Sequence, residues 1–388
     1  MRKLLLTSLL LLAVLLLALS LQNRPAGRQV QSRLEAAAAA PEQSGFAQAD
    51  GPRPLQFPAD QGPHPNFQTE WWYYTGNLET PTGRHFGFQL TFFRRALLPP
   101  TLPTPADAAG SDWSTRQVYL AHFALTDVQG KHFYAFQSLS RAAAGLAGAQ
   151  SDPFQVWLDD WQVRETAPNR FQLHAAQEDV VVELSLEDSK GPVLQGDNGY
   201  SRKGPQPGQA SYYYSRTHLA SQGTVQVNGE TFPVTGLSWM DHEFSTSYLS
   251  KNQTGWDWFA LQLENGSELM VFQIRQTDGS IDPYSSGTFV AADGSLTHLT
   301  NQEFQIRVLD TWVSPHSGAV YPSRWTVSVP RLGLQLNVQP YLSDQELNLA
   351  YTYWEGAVHL EGQLGGKTLR GDGYVELTGY AGSMGGEF

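Results

Sequence analysis

Apolar residues in this chain return at every second position, in short runs separated by turn-forming residues. That rhythm restricts the chain to β-structure. Phe86, Phe88, Leu90 and Phe92 alternate in one run, just after Thr80-Pro81-Thr82-Gly83. Trp256, Trp258 and Ala260 alternate in another, and a strand there puts Asp257, Phe259, Leu261 and Leu263 on the opposite face. Asn228-Gly229, Asn265-Gly266 and Asp293-Gly294 separate pairs of such runs, as tight hairpins require. Many short antiparallel strands with almost no helix fold as sandwiches or closed barrels, and a barrel of about eight strands can hold one apolar ligand.

At 388 residues the chain suits two domains better than one. A faint internal repeat agrees. Trp71, Tyr73, Thr75 and Asn77-Leu78-Glu79 align with Trp256, Trp258, Ala260 and Gln262-Leu263-Glu264, and Phe88-Gln89-Leu90 aligns with Phe272-Gln273-Ile274. The division expected is a first domain over residues 64–248 and a second over 249–384. Residues 23–63, rich in Ala, Pro, Gln and Gly, read as a linker with a short helix over residues 32–40.

Ahead of it, Arg2 and Lys3 precede an almost unbroken Leu, Val and Ala run to Leu21. Residues 1–22 thus read as a secretory signal or an uncleaved membrane anchor, and both place the rest outside the cytoplasm, in the periplasm or held at the envelope. The formal charge of -12 carries no basic patch, which argues against nucleic acid and against adsorption to anionic membranes. The absence of cysteine excludes disulfides, thiolate catalysis and thiolate metal sites. No Gly-x-Ser-x-Gly elbow marks a serine hydrolase.

Two neighbouring stretches concentrate the candidate chemistry. Trp239-Met240-Asp241-His242-Glu243-Phe244 sets an imidazole between two acids, a pattern for acid–base work. On a strand Asp241 and Glu243 share the face opposite His242, so the three cannot close one triad or ligate one ion. Asp257 stands on an otherwise apolar face, where a carboxyl is either pushed up in pKa or paired with an arginine such as Arg94 or Arg275. Glu70, Glu355 and Glu376 lie among aromatics and read as structural ties, and His122 as a core histidine. The 11 Trp, 16 Tyr and 19 Phe exceed what two small cores need, leaving aromatics to line a pocket.

Several stretches together, Glu70-Trp71-Trp72-Tyr73, Ser211-Tyr212-Tyr213-Tyr214-Ser215, Trp239-Met240-Asp241-His242-Glu243, Gly255-Trp256-Asp257-Trp258, Tyr353-Trp354-Glu355-Gly356 and Gly373-Tyr374-Val375-Glu376, resemble the AttH-like, lipocalin-like family that includes the carotenoid 1,2-hydratases. The resemblance runs from about Phe57 to Tyr380. It implies an all-β chain of two lipocalin-like antiparallel barrels with a ligand pocket at or between them. It implies, first, binding of a large hydrophobic isoprenoid or lipid by Trp71, Tyr73, Tyr214, Trp239, Phe244, Trp256 and Trp258. It implies, second, a hydratase that needs no metal or organic cofactor, with Asp257 or Asp241 as acid, His242 as base and Glu243 beside them. The Tyr-x-Asp element tied to proton donation in hydratases has no clear counterpart, since the corresponding strand reads Val271-Phe272-Gln273-Ile274-Arg275. A third implied role is accessory work beside an ABC transporter.

Overall fold

The computed structural model describes residues 44–102, 115–246 and 249–384. The expected signal or anchor and the expected short helix lie outside the described residues. No helix among the described residues is long and apolar enough to cross a membrane.

The chain forms two curled, nearly closed antiparallel sheets. The first comprises β1 (Thr69–Glu79), β2 (His85–Ala96), β3 (Gln117–Asp127), β4 (His132–Arg141), β5 (Ala147–Ser151), β6 (Phe154–Leu158), β7 (Trp161–Ala167), β8 (Arg170–Gln177), β9 (Val180–Asp188), β10 (Val193–Leu194), β11 (Tyr200–Arg202), β12 (Ala210–Val227) and β13 (Glu230–Ser245). The second comprises β14 (Gln253–Leu263), β15 (Glu268–Gln276), β16 (Ser286–Val290), β17 (Leu296–Thr300), β18 (Gln305–Val313), β19 (Val320–Val329), β20 (Leu334–Pro340), β21 (Glu346–Asn348), β22 (Thr352–Leu364) and β23 (Lys367–Leu377). The spatial order is β4-β3-β2-β1-β13-β12-β9-β8-β7-β6-β5 in one and β17-β16-β15-β14-β23-β22-β20-β19-β18 in the other. In both, the first strand lies between its hairpin partner and the last strand. The faint sequence repeat therefore marks equivalent places, β1–β2 and β14–β15, in two copies of one plan.

Each curl encloses its own core. Trp72, Tyr74, Phe88, Leu90 and Met240 point into the first. Phe259, Leu261, Val271, Trp325 and Trp354 point into the second. A third apolar cluster, with Tyr73, Tyr213, Trp239, Trp258, Phe272 and Tyr374, lies between the sheets. It uses the outer faces of β1, β13, β14 and β23, so these strands are covered on both sides. The sheets approach so closely that a Cβ placed on Gly87 would stand 2.4 Å from the Ala357 Cβ. Polar links cross the same seam: Asn77 Nδ2 donates to the Gly373 carbonyl at 2.9 Å and Gln262 Nε2 to the Thr217 carbonyl at 2.7 Å. Lys190 Nζ meets Glu268 Oε2 at 2.7 Å.

Residues 44–63 are the described part of the expected linker. They lie against the first sheet as a strap. Ala49 is fully buried. Tyr212 donates its hydroxyl to the Gly51 carbonyl at 2.9 Å, and Trp72 Nε1 donates to the Gln61 carbonyl at 3.0 Å. The composition of the strap is that of a loop, and its fixed path comes from partners remote in sequence.

At the strap's end a buried ion pair holds β1 to β2. Arg94 Nε donates to Glu70 Oε2 at 2.7 Å with both side chains wholly enclosed, and Arg94 Nη2 donates to the carbonyls of His64 and Phe67, each at 2.9 Å. Removing one partner strands the other charge without water. Arg94→Met should destabilise the fold by about 3–5 kcal/mol, read as a shift in the urea midpoint. A change under about 1 kcal/mol, the range of exposed pairs, would show that the pair contributes little.

Candidate functional site

Between the two sheets lies a cleft whose empty space, counted to its open mouth, is about 920 Å³. Its walls are mainly aromatic, with Trp71, Tyr73, Tyr213, Trp256, Trp258 and Phe272 among them. These side chains meet because alternate residues of β1 and β14 face outward from their own curls and inward toward each other. Tyr73 and Trp258 stand edge to face, ring centres 5.2 Å apart.

Ionisable groups enter this apolar space from several strands. Asp241 comes from β13 and is buried. Ser215 Oγ and Trp239 Nε1 donate to its Oδ1 at 2.5 and 2.7 Å, and the Tyr213 hydroxyl donates to Oδ2 at 2.7 Å. Burial lifts its pKa to about 7 against the pull of those donors, and the neighbouring Glu243 charge adds to the lift. Glu243, two residues on and on the same face, takes an ion pair from Lys203 Nζ at 3.0 Å and a hydrogen bond from Ser211. The same Lys203 ammonium sits 4.2 Å from the centre of the Phe272 ring.

Glu376, from β23, faces them across the cleft and is half-buried. Trp256 Nε1 donates to its Oε2 at 2.9 Å. Among the described residues its other carboxyl oxygen has no hydrogen-bond partner. Burial raises its pKa to about 7; the Trp256 bond opposes this, and the Asp241 and Glu243 charges reinforce it. Directly opposite Glu376 in the β22–β23 register stands Glu355. Glu355 is pushed well above the ordinary range by burial and then by the Glu376 charge, while the Tyr73 hydroxyl donates to its Oε2 at 2.8 Å. On the far wall His122 Nδ1 lies 2.7 Å from the Tyr353 hydroxyl, and burial lowers that imidazole to about 4, so it is neutral at pH 7.

The candidate residues divide between four places. Trp71, Tyr73, Asp241, Glu243, Trp256 and Trp258 line the cleft. Trp239 lies behind the wall, holding Asp241. His242, Tyr214 and Phe244 project from the opposite side of β12 and β13, toward the first core. There His242 Nε2 lies 2.8 Å from Glu70 Oε1, its Nδ1 lies 3.2 Å from the Tyr214 hydroxyl, and Phe244 stacks on His64 at 3.5 Å. Asp257 points into the second curl, as the alternation predicts. It receives Arg275 Nε at 3.0 Å, Gln273 Nε2 at 2.8 Å and the Tyr380 hydroxyl at 3.0 Å, and burial raises its pKa against the pull of these partners, so both the arginine pairing and the upward shift are present.

Glu376, Lys203, His122 and Tyr353 enter the site without having stood out as site residues in the sequence. On β23, Tyr374 and Glu376 alternate with Val375 and Leu377, and Glu376 reads there as a structural tie among aromatics. Only the second sheet's position makes that face an interior. The one available signal was the tyrosine beside the glutamate.

Two carboxyls with pKa values near 7 keep their protons above the ordinary carboxylate range. At these two positions the folded chain therefore binds more protons than the unfolded chain between about pH 4 and about 7. Their contribution to stability is complete at the acid end and is lost as pH rises through about 7. Replacing Glu376 by Gln should flatten that decline, measured as urea-unfolding free energy at pH 5 and pH 8. An identical decline in wild type and variant would contradict the raised pKa.

A family model described as AttH-like matches residues 48–380. A solved protein of Nitrosomonas europaea described as an AttH is 37% identical, with 86% of this chain and 100% of that one covered and a TM-score of 0.75. Kievitone hydratase from Nectria haematococca shares the fold at 14% identity, with 88% and 98% covered and a TM-score of 0.64. CghA bound to Sch210972 aligns over the same shares at 11% identity and a TM-score of 0.51. No curated protein matches the chain.

Proposed function

The chain belongs to the AttH-like family, and from that premise we propose that its inter-sheet cleft takes an elongated isoprenoid or lipid and adds water across a carbon–carbon double bond in it. The observation that carries this reading is Glu376. It is a carboxyl with a pKa near neutrality, set in an aromatic cleft, and among the described residues one of its oxygens has no hydrogen-bond partner. The likeness to kievitone hydratase is one of fold and transfers no residue.

The chemistry balances with the groups in place. Protonated Glu376 gives its proton to the less substituted alkene carbon, where the π pair becomes the new C–H bond. The cation left on the other carbon faces the rings of Tyr73, Trp256 and Trp258, whose electron-rich faces stabilise positive charge. Water adds to that carbon and loses its extra proton to ionised Asp241. That proton returns to Glu376 through solvent at the cleft mouth, so alkene and water become alcohol. The cycle needs one carboxyl protonated and the other ionised, a condition best met when both titrate near the working pH. His242 takes no part, because it faces away from the cleft.

The apolar lining also suits a carrier that holds such a molecule without changing it. On either reading we propose that the protein works at the cell envelope, as the basic start and apolar run of residues 1–22 support, with an ABC transporter as a partner to be tested by co-purification.

The experiment begins with mass spectrometry of organic extracts from protein purified out of its native envelope. The recovered isoprenoid or lipid is then incubated with protein in heavy water. Deuterium uptake and a gain of water are expected, with Glu376→Gln and Asp241→Asn each lowering the rate at least a hundredfold. His242→Ala should stay within a few-fold of wild type if it folds. Bound lipid with no deuterium uptake would leave the carrier, and undiminished turnover in Glu376→Gln would remove the acid from this scheme.

A further inference from the structure

On the opposite face of β1 and β13 from the cleft, three side chains from separate parts of the sequence converge. His64 comes from the turn between the strap and β1, Glu70 from β1 and His242 from β13. We propose that His64, Glu70 and His242 form a binding site for a divalent transition-metal ion of the zinc or ferrous-iron class.

The geometry supplies both the ligands and their supports. Glu70 Oε1 lies 2.7 Å from His64 Nδ1 and 2.8 Å from His242 Nε2. One ligand atom from each of the three residues falls within 4.8 Å of the others. Neutral imidazoles ligate through one nitrogen and need the other proton held elsewhere. Here both far nitrogens have partners. His64 Nε2 lies 2.8 Å from Asp60 Oδ1, and His242 Nδ1 lies 3.2 Å from the Tyr214 hydroxyl. With those protons held outward, the near nitrogens would give their lone pairs to an ion in place of the hydrogen bonds they now donate to the shared carboxylate oxygen.

The carboxylate is also fixed. Its second oxygen, Oε2, receives Arg94 Nε at 2.7 Å and the His64 backbone N–H at 2.9 Å, which leaves Oε1 as the ligand atom. Arg53 Nη2, at 2.8 Å from Asp60 Oδ1, supports the outer carboxylate. The rings are held too, His64 stacked on Phe244 at 3.5 Å and His242 stacked on Trp72 at 4.8 Å. Two imidazoles and one carboxylate suit zinc or ferrous iron, and suit magnesium and calcium poorly. They leave coordination positions open for water. The His64 side chain keeps 13% exposure and gives the ion a way in.

An ion at this point would replace the hydrogen bonds that now join the two imidazoles to Glu70. It would tie the turn after the strap to β1 and β13 through coordinate bonds. The site is independent of the cleft, since β13 separates the two.

The test uses the full chain stripped with a chelator and titrated with Co²⁺, with Mg²⁺ as the comparison ion. One equivalent of saturable Co²⁺ binding is expected, with a visible absorption band from nitrogen ligands and a higher melting temperature. His64→Ala, in which a rim residue is lost, should abolish the band. Asp60→Asn should weaken binding about ten- to a hundredfold. Glu376→Gln, on the other side of β13, should bind as wild type does. No saturable Co²⁺ binding, or binding unchanged in both His64→Ala and His242→Ala, would overturn the proposal.

Discussion

The contact between the outer faces of the two sheets governs the rest of this structure. A barrel strand ordinarily has one dry face and one wet face. Here β1, β13, β14 and β23 are dry on both, because each sheet covers the other. The seam turns aromatic side chains that would face water into the walls of a cleft. It also takes carboxylates that would ionise freely and places them where ionisation is costly. The neutral-range acidity of Asp241 and Glu376 is a product of that seam, and neither strand alone would produce it.

Within this arrangement β13 acts as a partition. Trp239, Asp241 and Glu243 serve the cleft side, and Met240, His242 and Phe244 serve the inside of the first curl. The two sides solve the cost of buried charge differently. On the cleft side the charge is suppressed by protonation or met by a single lysine. On the inner side it is matched by an arginine, with two histidines hydrogen-bonded to the same carboxylate. The first solution keeps protons available for transfer. The second fixes geometry and makes a cradle for a cation.

Binding and catalysis place different demands on the same walls. A carrier needs apolar area and reach, which the aromatic lining supplies. A hydratase also needs a proton at the right energy, and that requires the carboxyls to be partly enclosed yet in contact with the ligand. Glu376 meets both conditions because Trp256 covers one oxygen and leaves the other toward the cleft. Glu355, opposite it on β22, shows the limiting case of a carboxyl too enclosed to serve as the working acid.

The sequence by itself determined the β class, the two-fold repetition of one strand plan and the face on which each strand residue stands. Alternation of two is a local property, and it assigned Trp256 and Trp258 to one side and Asp257 to the other correctly. It also separated His242 from Asp241 and Glu243. Its reach ended at the single strand. Whether a polar face meets water or a second sheet depends on packing between elements far apart in the chain, so Glu376 reads as a structural tie and yet lines the cleft. The strap from residue 44 read as linker for the same reason, its anchors being Gly51 with Tyr212 and Gln61 with Trp72. The meeting of His64, Glu70 and His242 spans 178 residues between its ends (242 − 64). Only the pairing of β1 with β13 brings it about, because hydrogen-bonded register, unlike periodicity, is not written in any one stretch of sequence.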